Sequence, residues 1–426
     1  MATIADRQGS EGLGPHQPRL QRDLFGYVIG LALLTILVEP FVAEAILSPF
    51  GYFSQGVVVL MLGFLFAKIS VTGKLRSTEF FFLIWFLYCI LASLLFGVNR
   101  SVADIMLQAA NQSKLLLFLI FAFIYMGNES ARRVARGVIY IVLIGGVISF
   151  LLPGLFLDLG GDGLTRYRVL GMQSPAGFQL HPNRVGRILS LIPLLSAYQL
   201  GVSNRRYGLL LAISFVFVYL SSSRLALLFF LVILAIRILY AVRTSVQRFF
   251  IYLIIGIPIS IAVAILGWDA LRLSNLGSSA VTGELAPIFR IVLLIDGLTL
   301  AKEYFPLGAG LATFATPLSF DQPTYDNTMA AQTFFFRQGT ALFDNNYASI
   351  IGEQGIIGAT ILFILFLLLF RVYFRQAQPF ARICIPIILF GSLAFESVMQ
   401  SSLTSAGLAL ILRASLVHPP SQAPLP

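Results

Sequence analysis

Asn346 to Phe370 reads NYASIIGEQGIIGATILFILFLLLF, with one charged residue, Glu353, in its first third and an almost wholly apolar remainder. A membrane-spanning helix needs about 20 mostly apolar residues, and this stretch supplies them. Phe343-Asp344-Asn345 stands directly before it, so polar groups sit on the start of an apolar helix. Three glycines, Gly352, Gly355 and Gly358, follow at three-residue spacing and imply tight helix contacts. A carboxylate at the position of Glu353 is costly in a membrane unless it is paired.

The rest of the chain has the same character. Hydrophobic residues make up 58%, charged residues 11%, and the mean hydropathy is +0.87. These values lie outside the range of soluble domains and predict an all-α polytopic membrane protein. Twelve segments qualify as spans: 24–45, 50–68, 79–97, 108–126, 134–156, 184–200, 206–221, 224–241, 248–267, 346–370, 382–398 and 402–417. They form a single transmembrane domain over 24–417, with one large outer loop at about 268–345. Residues 1–23 are too polar for the apolar core of a signal peptide, so the first apolar run reads as a retained helix. The tails 1–23 and 418–426 read as short cytoplasmic disordered ends. Cys89 and Cys384 fall inside apolar spans as packed thiols, with no disulfide or metal framework.

Orientation follows from the basic residues. With the amino terminus inside, the inner segments hold 18 of the 29 Lys and Arg residues, while the outer ones hold 14 of the 19 acids. Both termini are therefore expected in the cytoplasm and the long loop outside. Lys114 is an intramembrane cation in the fourth span, close enough to a boundary to be read as snorkelling. Gly145 and Gly146 read as close-packing positions.

Several outer residues break the positive-inside bias. His181-Pro182-Asn183-Arg184, followed by Arg187, places two guanidinium groups in the first turns of a helix whose amino terminus faces outward. Such a terminus is an anion site, for which a diphosphate is an obvious occupant and the lipid head groups of the outer leaflet are the alternative; His181 itself reads as a structural or cap residue. Ser221-Ser222-Ser223-Arg224 opens the eighth span with no carboxylate three or four positions from Arg224, which therefore looks to a distant acid or an anionic ligand. In the long loop an interfacial helix is predicted from about Leu285 to Glu303. Asp296, Thr299 and Glu303 share one side, and Arg290 lies opposite with Leu294, Gly297 and Ala301. Pro306-Leu307-Gly308-Ala309-Gly310 then breaks it with turn chemistry. Asp344 reads equally as a helix cap or as a base.

In this order, Gly171 with His181-Pro182-Asn183, Ser223-Arg224-Leu225-Ala226, Arg290 ahead of Pro306–Gly310, and Asp344–Tyr347 ahead of Glu353-Gln354-Gly355-Ile356-Ile357-Gly358 resemble the O-antigen ligases and Wzy-type polysaccharide polymerases. The resemblance covers about residues 160–370. It implies a GT-C-like glycosyltransferase of a bacterial inner membrane with short helices in its periplasmic loop. Such an enzyme acts on undecaprenyl-diphosphate-linked saccharides, without metal, nucleotide or other cofactor. Carried onto this chain, the resemblance makes Arg224 and Arg290 the holders of the donor diphosphate; Arg184 or Arg187, from the anion site read above, would help them. Asp344 takes the place of the ligases' catalytic histidine, a departure that favours a polymerase. His181, Asn183, Asn345 and Tyr347 are the further expected substrate contacts. A chain-length regulator and a flippase of the same pathway are the expected protein partners, with no nucleic acid. The rival readings are a ligase acting on another lipid or protein acceptor, and a lipid-diphosphate flippase or transporter.

Overall fold

The computed structural model describes residues 19–160, 168–169, 172–221, 223–242, 289–326, 328–332, 336, 345–395, 398–399 and 401–417. The expected ninth span, Asp344 and most of both tails lie outside this set. Among the described residues the regular structure is helical apart from a two-residue antiparallel ladder, in which Arg168 pairs with Gln173 and Val169 with Met172. In order the helices are α1 (Arg19–Ile36), α2 (Glu39–Ala45), α3 (Phe53–Thr72), α4 (Ser77–Phe96), α5 (Val102–Tyr125), α6 (Asn128–Leu151), α7 (Pro153–Gly160), α8 (Pro182–Ser190), α9 (Ala197–Leu200), α10 (Asn204–Leu220), α11 (Arg224–Val242), α12 (Phe289–Glu303), α13 (Asn346–Val372), α14 (Pro379–Phe395) and α15 (Ser402–Ser415).

Among the described residues, α3, α4, α5, α6 and α13 are long and apolar enough to cross a membrane. A sixth span arises if α1 and α2, which meet at 54°, form one broken crossing. Pro40, the second residue of α2, lacks the N–H that a continuous helix would use, which accounts for a break just before it. The expected sixth span, 184–200, is not one helix. It divides into α8, a 3-10 turn at Ile192–Leu194 and α9. Pro193 interrupts the ladder, and Ser196 caps the new start by accepting from Gln199 N at 3.3 Å.

The bundle is organised around α5, 83% buried over its apolar window against 22% for α3. The short α15 packs along α5 and is buried from Leu403 to Ser415. Apolar surface has no reason to avoid lipid, so close approach and polar contacts must hold such helices together. At one end of the bundle the contacts are largely cationic. Arg132 donates to Tyr198 O and Arg136 to Leu200 O, at 3.2 and 2.7 Å. Arg413 donates to Met126 O at 2.7 Å and Arg382 to Ala377 O at 2.8 Å. Arg237 donates to Pro193 O at 2.7 Å. These guanidinium groups satisfy carbonyls that helix ends leave open. All are residues that the charge distribution assigned to the inner side.

Lys114 does not snorkel. It is 3% exposed and interacts electrostatically with Glu39, itself buried and accepting from Ser54 N at 3.2 Å. Cys89 and Cys384 are both buried free thiols.

The clearest ion pair joins α3, α4 and α5. Glu79, fully buried, accepts from Lys68 Nζ at 2.6 and 2.8 Å, from Tyr125 Oη at 2.5 Å and from Arg76 N at 2.8 Å. Removing one member of such a pair typically costs about 3–5 kcal/mol, whereas replacing both with apolar groups costs little. Glu79→Ala is expected to lower the melting temperature of the detergent-purified protein sharply. The double variant Lys68→Met, Glu79→Met should recover most of the loss, and equal loss in both would refute the pairing.

Candidate functional site

The loop after α12 folds onto α13 through two sequence motifs that lie more than 40 residues apart. Gly355 departs from helical geometry at φ 63°, ψ −168°, which kinks α13. A Cβ there would stand 2.4 Å from Gly308 N and Pro306 O. Ala309 N donates to Gly352 O and Gly310 N to Glu353 O, each at 2.9 Å. The Glu353 side chain completes the clasp, accepting through Oε1 from Thr313 N at 2.9 Å and Phe314 N at 3.2 Å, and through Oε2 from Gln112 Nε2 at 2.6 Å. The carboxylate is therefore paired, mainly with backbone N–H groups. Gln354 continues the network to Gln112 Oε1 at 2.7 Å and receives Trp85 Nε1 at 2.9 Å. The end of α4 joins through Ser93 Oγ, which accepts from Leu311 N at 2.7 Å.

The same loop is tied to α12. Asp296, on the side expected to be polar, is buried and accepts from Ala330 N at 2.8 Å and Met329 N at 3.2 Å. Burial raises its carboxyl above the ordinary value, and those two N–H groups partly offset the rise. The small residues on the Arg290 face serve packing, since a Cβ at Gly297 would come within 2.7 Å of Ala348 O on α13.

Arg290 stands in the first turn of α12, exposed, and its backbone is held to the start of α13. Asn345 Nδ2 donates to Arg290 O at 2.9 Å, while Asn345 Oδ1 accepts from Ala348 N at 3.2 Å. Asn345 is thus the cap of α13, which takes the capping role from Asp344; Asp344 itself lies outside the described residues. Tyr347 reaches away from this pair and donates its hydroxyl to Phe390 O on α14 at 3.0 Å.

The second basic group lies on α8 and α11. His181 caps α8 through Nδ1, which accepts from Asn183 N at 3.2 Å. Burial first, and then the charges of Arg184 and Arg187, push the imidazole down to about 4. Arg184 Nη1 donates to Gln179 O at 3.3 Å. Gly186 brings α8 against Ser221 and Ala226, the residues on either side of Arg224 in the chain. Ser223 caps α11 by accepting from Ala226 N at 3.4 Å, and Arg224 is exposed in the first turn. Arg187 lines a cleft between α8, α11, α14 and α15 with Phe229, Ile388, Ser392, Thr404 and Leu408.

The fold therefore forms two groups, Arg290 with Asn345, and Arg184 and Arg187 on α8 beside the start of α11, which carries Arg224; Tyr347 joins neither. Helix α14 connects them. Ile388 and Ser392, four residues apart, face the Arg187 cleft, and Phe390, about 200° round the helix, packs on Phe366 and Phe370 of α13. Sequence reading missed Gln112, Trp85 and Ser93 as supports of the loop; the signal available was a glutamine inside an apolar span. Among the described residues no three His, Cys, Asp or Glu side chains cluster as metal ligands.

Glu353→Ala orphans at least two backbone N–H groups, each worth about 1–3 kcal/mol, and should lower the melting temperature more than Glu353→Gln, whose amide oxygen still accepts. Equal effects would show that the carboxyl oxygens do not hold the loop. His181, with its folded value below the ordinary 6.5, contributes stability above pH 6.5 that is lost as pH falls through about 4. His181→Asn should flatten that part of the melting profile between pH 6.5 and 4; an unchanged profile would refute the assignment. No protein-family model matches the chain, and no curated protein matches it.

Proposed function

We propose that this chain is a membrane-embedded polysaccharide polymerase with a twelve-span, GT-C-like plan, placed in a bacterial inner membrane with both termini cytoplasmic and its active surface periplasmic. It transfers an undecaprenyl-diphosphate-linked glycan chain onto a lipid-linked repeat unit. The observation that carries the reading is the contact of the arginine-bearing helix α8, at Gly186 between Arg184 and Arg187, with Ser221 and Ala226, which flank the start of α11 and Arg224. A helix amino terminus and guanidinium groups together favour an anionic, phosphate-like group.

The chemistry asks for cations on one side and a base on the other. The bond between the donor's anomeric carbon and its diphosphate oxygen breaks while the acceptor hydroxyl oxygen bonds to that carbon. The leaving diphosphate takes the electron pair and is stabilised by Arg224 and Arg290, with Arg184 and Arg187 in support. The acceptor's proton passes to Asp344, the proposed base, which directly precedes the cap residue Asn345. Asn345 supports this role by tying the start of α13 to Arg290 O.

One observation favours a second reading. Arg187 faces a largely apolar cleft among four helices, an arrangement that a carrier of lipid diphosphates would also use.

Purified protein given one synthetic diphosphate-lipid oligosaccharide, without nucleotide or metal, should yield a ladder of repeat multiples. Arg290→Ala should reduce that yield at least 100-fold, in keeping with loss of roughly 3 kcal/mol of charge stabilisation. An unchanged substrate in detergent, combined with movement of the same lipid across proteoliposomes that Arg187→Ala abolishes, would replace the polymerase by the carrier. Transfer to an added acceptor without a ladder would replace it by a ligase.

A further inference from the structure

Gln108 lies on α5 one turn before Gln112 and is completely buried. Neither its Oε1 nor its Nε2 meets a hydrogen-bonding partner among the described residues. A carboxamide carries two donor hydrogens and two acceptor lone pairs, and leaving them unmatched in an apolar interior costs free energy that an apolar side chain would not. The position is not an isolated one. Asp104, Gln108 and Gln112 recur every four residues, so they form one file along the same face of α5. Asp104 is half-buried in the first turn, Gln108 is enclosed, and Gln112 is bonded to Glu353 and Gln354.

Gln112 has capacity left on this file. Its Nε2 donates one hydrogen to Glu353 and its Oε1 accepts one from Gln354, so each atom retains a further valence. Side chains four apart on a helix are about 5–6 Å apart at Cβ, a gap that one water molecule bridges between two amides. Buried water commonly makes about three hydrogen bonds to polar groups of this kind.

We infer that α5 carries an internal hydration site, in which ordered water held by Gln108 joins the Asp104 end of the helix to the Gln112–Glu353 network. The ligand class is water itself, selected because the Gln108 and Gln112 amides offer neutral donors and acceptors in balanced number. The inference is independent of the enzymatic reading, since it rests on the supports of the outer loop rather than on the arginines.

Two substitutions separate a wet site from a dry one. In a wet site Gln108→Ala leaves room for a further water to replace the amide, whereas Gln108→Leu expels water and removes its anchor. The expected result for the full-length protein in detergent is that Gln108→Leu melts below wild type by about 2 °C or more and below Gln108→Ala. If Gln108→Leu melts as high as wild type or above Gln108→Ala, the site is dry and the inference falls. Should either variant fail to fold, a high-resolution density map of the wild type decides. Ordered density within hydrogen-bond distance of the Gln108 amide supports the site, and its absence where the Gln112 and Gln354 amides are resolved overturns it.

Discussion

A single buried carboxylate organises the end of this protein where the loop after α12 meets α13. Glu353 gathers the backbone N–H groups of Thr313 and Phe314 and the amide of Gln112, and its own carbonyl accepts from Gly310. In a membrane-facing bundle, irregular backbone is tolerated only where protein satisfies its polar groups. The loop after α12 is irregular, with positive φ at Gly308, Gly310, Ala312 and Ala315. Glu353 supplies an acceptor to part of that loop. Without it the loop would have to find solvent, and the registry between α12 and α13 that places Arg290 beside Asn345 would lose its support from below.

The two ends of the bundle use arginine differently. At one end Arg132, Arg136, Arg237, Arg382 and Arg413 are spent on carbonyls, a structural role that joins helices distant in sequence. At the other end Arg224 and Arg290 stand exposed in the first turns of their helices, where the helix dipole does not favour a cation. The same residue type thus locks one face of the molecule and furnishes the other with positive charge. The contrast in position, more than the number of arginines, separates scaffold from candidate site.

Part of the helical plan was legible because apolar run length is a strong signal: among the described residues α3, α4, α5, α6 and α13 are span-length apolar helices where spans were expected. The sixth segment was misread as continuous because hydropathy is blind to Pro193, whose effect is on backbone hydrogen bonding. The burial of Lys114 was missed for a related reason, since its partner Glu39 is 75 positions away and on another helix. Within the site, the start of α8 at Pro182 and the tight contacts of Gly352, Gly355 and Gly358 could be read from local chemistry. The clasp between Gly308 and Gly355 could not, because each glycine alone is compatible with an ordinary turn or helix contact, and only their meeting shows why both are needed.

The bond between Gln112 and Glu353 joins residues 241 positions apart. During synthesis, at roughly 5–20 residues per second, α5 therefore leaves the ribosome about 10–50 s before its carboxylate partner exists. Through that interval its buried glutamines must be sheltered by water, by the insertion machinery or by neighbouring helices, because lipid offers them nothing. The most enclosed of the five span-length helices is accordingly among the least suited to enter a bilayer alone. Its polar file meets its protein partner late, in a segment near the end of the chain.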